Sequence, residues 1–183
     1  EMLKKEDAGR MNFAPVISPN GRYAIFLSEK NLFSIDLFLA DARTGEVLRT
    51  VASSRQTSHI DNFNYIESAG TWSPDSKSFA FTAYSKGRNI LIVKDVFSGK
   101  TINEIAIEGV PAFSNPDWSP NGNTIVVSGQ VDGQTDLFLV NVKTKQVERL
   151  TNDGYSELLP KWSPDGSHIV FSTDELSING RRT

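Results

Sequence analysis

Trp118-Ser119-Pro120-Asn121-Gly122 and Trp162-Ser163-Pro164-Asp165-Gly166 spell one five-residue pattern twice. Trp72-Ser73-Pro74-Asp75-Ser76 repeats it with Ser in the last place, and Ile17-Ser18-Pro19-Asn20-Gly21 repeats it with Ile in the first. The four copies hold all three tryptophans and four of the eight prolines. Their serines stand 55, 46 and 44 residues apart. Self-similarity at such a period marks a solenoid or a propeller. Pro in the second turn position presets φ, Asp or Asn accepts hydrogen bonds from nearby amides, and Gly supplies φ > 0. Each copy therefore predicts a tight turn between two strands. Ser76, in the place of Gly, predicts a turn that is strained or differently shaped.

Working outward, a short apolar run follows each copy: Tyr23 to Leu27, Phe79 to Phe81, Ile125 to Val127 and Ile169 to Phe171. Runs of three to five β-branched and aromatic residues read as strands buried on both faces. A second run follows in three copies, Leu37 to Asp41, Leu91 to Asp95 and Leu137 to Asn141, each closing near a turn at Thr44-Gly45, Ser98-Gly99 or Thr144-Lys145. A last strand leads out over Val47 to Val51, Ile102 to Ile107 and Val147 to Leu150. One repeat is thus four short strands, a to d, and no helical period interrupts them. The Trp before each turn carries a large apolar face that one such sheet cannot cover alone, so neighbouring sheets must stack on it. Trp72, Pro74, Asp75, Trp118, Pro120, Gly122, Trp162, Pro164, Asp165 and Gly166 are accordingly read as structural.

Composition narrows the functions. Nineteen Lys and Arg against 22 Asp and Glu give a net charge of −3, so no field draws this surface to nucleic-acid phosphates. The chain has no cysteine, which excludes a disulfide scaffold, a thiolate zinc site and a cysteine nucleophile. No apolar run approaches the ~20 residues of a membrane helix, and the charged residues Glu1 to Asp7 do not read as a signal peptide.

The Trp-Ser-Pro-Asp-Gly pattern, its apolar strand, a Leu-Phe-Leu-Val-Asn strand and the closing Arg149-Leu150-Thr151 together resemble the TolB-type β-propeller repeat over about residues 13–173. The resemblance implies an all-β propeller of four-stranded antiparallel blades in a periplasmic segment of a larger bacterial envelope protein. TolB itself binds the lipoprotein Pal, but no Pal-contacting motif is matched here, so that partner is not carried over. The expected organisation is a tail over 1–12, blade 1 over 13–58, blade 2 with a long entry loop over 59–110, blade 3 over 111–152 and a partial blade 4 over 153–183. Rings of this family generally have six or more blades, so the chain is expected to be a fragment with neighbouring domains in a longer parent.

Binding is expected on the face that carries the b–c and d–a loops, where the lengths vary most. The longest of these segments, Ser53 to Tyr65, mixes a cation, an imidazole, a carboxylate, amides and aromatics, as contact surfaces do. Arg55, His59, Asp61, Asn62 and Tyr65 are its candidate protein-binding residues, with Arg88, Asp153 and Tyr155 on the same face. No catalytic residue, metal ligand or cofactor is assigned. His59 and His168 are the only histidines and form neither a triad nor a zinc cage. The acids between Asn152 and Glu157 stand where a channel of this family sometimes holds a cation, a minor reading. Three functions stay open: a non-catalytic module binding a protein or peptide; the gating propeller of a prolyl-oligopeptidase-like enzyme whose catalytic domain lies elsewhere, since no Gly-x-Ser-x-Gly elbow is present; and a rigid spacer.

Overall fold

A computed structural model describes residues 11–29, 34–53, 61–63 and 70–175, which form fifteen strands and no helix. The first blade is a four-stranded antiparallel sheet of β1 (Asn12–Ile17), β2 (Tyr23–Ser28), β3 (Asp36–Asp41) and β4 (Val47–Ser53), paired in chain order. The third has the same order in β10 (Ala112–Trp118), β11 (Thr124–Val131), β12 (Gln134–Asn141) and β13 (Val147–Arg149). In the second blade the innermost strand comes in two pieces, β5 (Asn62–Phe63) and β6 (Thr71–Trp72), both on β7 (Ser78–Ser85). β8 (Arg88–Asp95) and β9 (Thr101–Ile105) complete it. The fourth blade shows β14 (Glu157–Trp162) and β15 (Ile169–Thr173) among the described residues. The all-β, four-stranded reading of the repeat therefore holds, and the sheets form part of a propeller.

In the second blade the b and c strands are apolar without interruption because each face meets a different neighbour. Phe79, Phe81, Ile90 and Ile92 pack with Trp72 against Ile25, Leu27, Leu37 and Leu39 of the first blade. The alternate residues Ala80, Leu91 and Val93 pack against Phe113, Trp118, Ile125, Val127, Phe138 and Val140 of the third. Trp72 and Trp118 therefore each fill an interblade core. Trp72 also meets Phe79 edge-on at 5.5 Å, and its indole N–H donates to the Val16 carbonyl of the first blade at 3.0 Å.

The repeated serine has a job of its own. Ser18, Ser73, Ser119 and Ser163 each donate through Oγ to the Asn or Asp two residues on, at 2.6–2.8 Å. The same Oγ accepts the amide five residues on, at Tyr23, Ser78, Thr124 and His168. Ser76 keeps the shape of the other turns at φ 60°, close to Gly122 at 76° and Gly166 at 72°. Of the two outcomes expected there, strain without reshaping is the one found. The Ser76 hydroxyl accepts the Asn20 amide of the neighbouring blade at 3.1 Å, a bond glycine could not make.

Each complete inner strand also carries a bulge. Register shifts fall after Phe13, Ser114 and Leu158. At each shift a non-glycine residue has positive φ: Ala14 at 50°, Asn115 at 53° and Leu159 at 56°. Each is followed by proline, at Pro15, Pro116 and Pro160. A bulge bends the strand and re-aims its side chains. Proline on an edge strand removes an amide that would find no partner there. In the second blade Gly70 takes the proline's place, where a Cβ would meet the Ala80 carbonyl oxygen.

Candidate functional site

The b–c hairpins and the segments linking blades gather at one end of the sheets. In the second blade Asp61 joins them: its amide donates to the Tyr84 carbonyl at 2.8 Å and its carboxylate accepts the Lys86 amide at 2.8 Å. The Asp61 carboxylate thus caps the Lys86-Gly87 turn. The Asn62 backbone pairs with Tyr84, and Arg88 opens β8 as an exposed residue directly beyond that turn. In the third blade the Gln134 side chain donates to the Gly154 carbonyl, and the Thr135 amide to Ser156 Oγ at 3.4 Å. These bonds hold the Thr151–Ser156 loop, with exposed Asp153 and Tyr155, against the Asp132-Gly133 hairpin. The structure thus places Asp61, Asn62, Arg88, Asp153 and Tyr155 on the hairpin end; Arg55, His59 and Tyr65 lie outside the described residues.

Beneath this rim opens a cleft of about 440 Å³ that the sequence reading did not single out. Asn89, Phe113, Asn115, Ser128, Gln130, Thr135, Leu158 and Leu159 are among its walls. Its position follows from a difference between successive junctions. Between the second and third blades, the Asn89 side-chain amide donates to the Phe113 carbonyl at 2.6 Å and closes the gap. Counting from the following Leu, Thr135 stands where Asn89 does, and its side chain is shorter. The bulge residues Asn115 and Leu159 border the space that results.

Next to the cleft sits a buried polar network. Counting back from the tryptophans, Glu157 occupies the inner-strand position of Phe113, and it is 1 % exposed. Its carboxylate accepts from Thr151 Oγ1 at 2.7 Å, and Thr151 Oγ1 in turn accepts the Leu137 amide at 2.9 Å. Asp136, also buried, pairs with Arg149 at 2.6 Å. Burial pushes the Glu157 carboxyl above its usual range, with the Asp153 and Asp136 charges adding to the effect and the Thr151 bond opposing it. Lower in the same junction, Asp117 accepts the Trp162 amide at 2.8 Å and the Lys161 ammonium at 2.7 Å. Thr71 does the same for the Trp118 amide at 3.2 Å one junction earlier. The residue before one Trp thus tethers the next. Among the described residues no three His, Asp or Glu side chains converge as a metal cage, and no helix is long and apolar enough to cross a membrane.

Lining the repeats up on their tryptophans could have exposed two of these features. Pro15, Pro116 and Pro160 each stand two residues before Ile17, Trp118 or Trp162, and Glu157 falls over Phe113. The cleft itself has no linear signature, because its walls come from three blades.

The family model described as the TolB beta propeller domain matches residues 54–177, well over half of the chain. The Tol-Pal system protein TolB of Francisella tularensis is 31 % identical over 171 residues, which cover 91 % of this chain and 36 % of that protein. In fold, the chain is similar to the crystal structure of TolB from Acinetobacter baumannii, with a TM-score of 0.71 at 20 % identity, covering 88 % of this chain and 37 % of that one. It is also similar to puromycin hydrolase, with a TM-score of 0.65 at 18 % identity, covering 91 % of this chain and 26 % of that one. The chain spans about a third of the length of the curated relatives it matches.

Proposed function

This chain belongs to the TolB β-propeller family, and from that premise we propose that it serves as a non-catalytic interaction module in the bacterial periplasm, binding a protein or peptide through its hairpin end. One observation carries the reading: the cleft and the exposed Arg88, Asp153 and Tyr155 lie at the same end of the sheets. At the opposite end, side chains in the repeated turns are committed to neighbouring amides. Asp41, Asp95 and Asn141 each accept two successive amides of their own turn. Arg88 and Tyr155 are residue types that dominate binding energy at protein interfaces. The relatives named for the Tol-Pal system support an envelope location and a protein partner, without identifying it. The likeness to puromycin hydrolase, at 18 % identity, concerns the fold.

The test is recovery of envelope proteins by the chain carrying Arg88→Glu with Tyr155→Ala, against Lys143→Glu at the opposite end. The double variant should lower recovery of the partner by about tenfold while its circular dichroism stays unchanged. Equal recovery by the double variant, Lys143→Glu and the unaltered chain contradicts the reading.

A further inference from the structure

The cleft between the third and fourth blades carries a more specific reading, which rests on the interaction role just proposed. Its volume of about 440 Å³ falls within the ~300–1,000 Å³ range of ligand pockets. Among the described residues no ionisable side chain lines it. The polar part of the wall includes the amides of Asn115 and Gln130 and the hydroxyls of Ser128 and Thr135. Ser128 is 2 % exposed, and its Oγ finds no hydrogen-bond partner among the described residues. A buried hydroxyl in that state is stabilised by any polar group that enters the cleft and reaches it.

The apolar part of the wall is held open at a cost. Leu159 keeps a backbone conformation that L-residues rarely adopt, φ 56°, yet the residue is 56 % exposed. Leu158 beside it is 45 % exposed. Strain of this kind persists only where the surrounding structure imposes it; here the bulge before Pro160 does so and keeps two leucines at the opening.

We propose that this cleft takes a short, extended, uncharged peptide segment with an aliphatic side chain. A primary amide offers one acceptor and two donors; Asn115 donates one N–H to Ser114 Oγ at 3.1 Å and keeps a donor and an acceptor, the complement of a peptide bond, so Asn115 and Gln130 suit a peptide backbone. Leu158 and Leu159 then cover the aliphatic group. A charged side chain would lose water without meeting an opposite charge in the wall. A sugar would find no ring face to stack on, because the one ring in the wall among the described residues, Phe113, is only 2 % exposed and belongs to the core of the preceding junction.

The experiment titrates the ¹⁵N-labelled chain with the blocked peptide acetyl-Ala-Ser-Leu-Ser-Ala-amide. Parallel titrations use the same peptide with Glu or Lys at its centre, and chitotriose. The leucine peptide should shift the amide resonances of Asn115, Gln130, Leu158 and Leu159 saturably below about 10 mM. The Glu and Lys peptides should bind at least about tenfold more weakly. Leu159→Gly relieves the backbone strain, so it keeps the fold while lowering affinity severalfold, and Ser128→Ala should also weaken binding. Three results overturn the proposal: no saturable shift with the leucine peptide, equal binding of the charged peptides, or preference for chitotriose. If envelope partner recovery still depends on Arg88 and Tyr155 while the cleft resonances stay unmoved, this inference falls and the broader reading stands. If that dependence is absent too, both fall.

Discussion

The junction of the second and third blades and that of the third and fourth are built on one register with different chemistry. In the first, Phe113 and Trp118 enter a core of Leu91, Val93, Ile125, Val127 and Phe138, and Asn89 closes the inner edge. In the second, Glu157 replaces the phenylalanine, Thr135 replaces the asparagine, and a cleft remains. Trp162 is half-buried, and Phe171, which stands in the register of Val127, is 40 % exposed. Repeat proteins derive stability from each unit plus its contacts with neighbours. The second and third blades should therefore unfold together, with the fourth opening at lower cost.

The comparison is broken most directly at the tryptophans. Trp118→Ala should destabilise the chain by about 3–5 kcal/mol in urea unfolding, as large aromatic deletions from a core do. Trp162→Ala should cost less than half as much. Equal costs would mean that the two junctions are equally well packed. Asp117→Ala comes next. It removes the acceptor of the Trp162 amide, worth about 1–2 kcal/mol, whereas its exposed partner Lys161 adds little. Hydrogen exchange at the Trp162 amide should accelerate while that at Trp118, tethered by Thr71, stays unchanged.

Glu157 gives the polar junction a pH signature. Its folded-state pKa lies above the unfolded value, so its contribution is fully present below the unfolded pKa of about 4.3 and is lost as pH rises through the folded pKa. Intrinsic-rate-corrected protection of the Thr151 to Ser156 amides should thus be greater at pH 5 than at pH 8. Glu157→Gln keeps an acceptor for Thr151, removes the buried charge and should stabilise the chain at pH 8 by on the order of 1 kcal/mol; its advantage should vanish near pH 4. Asp41 and Asp95 have the opposite sign. The Thr44 amide and the Ser98 amide, respectively, hold their carboxyls below the usual range. The c–d turns should accordingly weaken only as pH falls below about 4. The smallest effect belongs to Ser76→Gly, where relief of the positive φ and loss of the Asn20 bond offset each other to within about 0.5 kcal/mol.

Much of this architecture is legible along the chain. The Trp-Ser-Pro turn, the buried runs of the first three blades and the four-strand repeat all rest on residues close in sequence, whose spacing reports local backbone geometry; the run Ile169 to Phe171, expected to be buried on both faces, forms a strand whose Val170 and Phe171 are exposed. What escapes such reading lies across blades. The Ser76 hydroxyl meets an amide 56 residues away, and Asp117 tethers an amide 45 residues on. The proline bulges repeat in sequence, but only the register shows that they turn Asn115 and Leu159 toward the cleft. Asp61 shows the converse: a carboxylate on a variable loop reads as a contact residue, and the structure adds a turn-capping bond from the Lys86 amide to one oxygen of a residue that stays exposed.

The central claim, that the hairpin end is where a partner binds, is tested most directly by photo-crosslinking in living cells. A benzophenone amino acid replaces either Tyr155 at that end or exposed Phe97 in a c–d turn at the other. The account predicts a discrete crosslinked protein from position 155 and none from position 97. A crosslink from position 97 alone would contradict it.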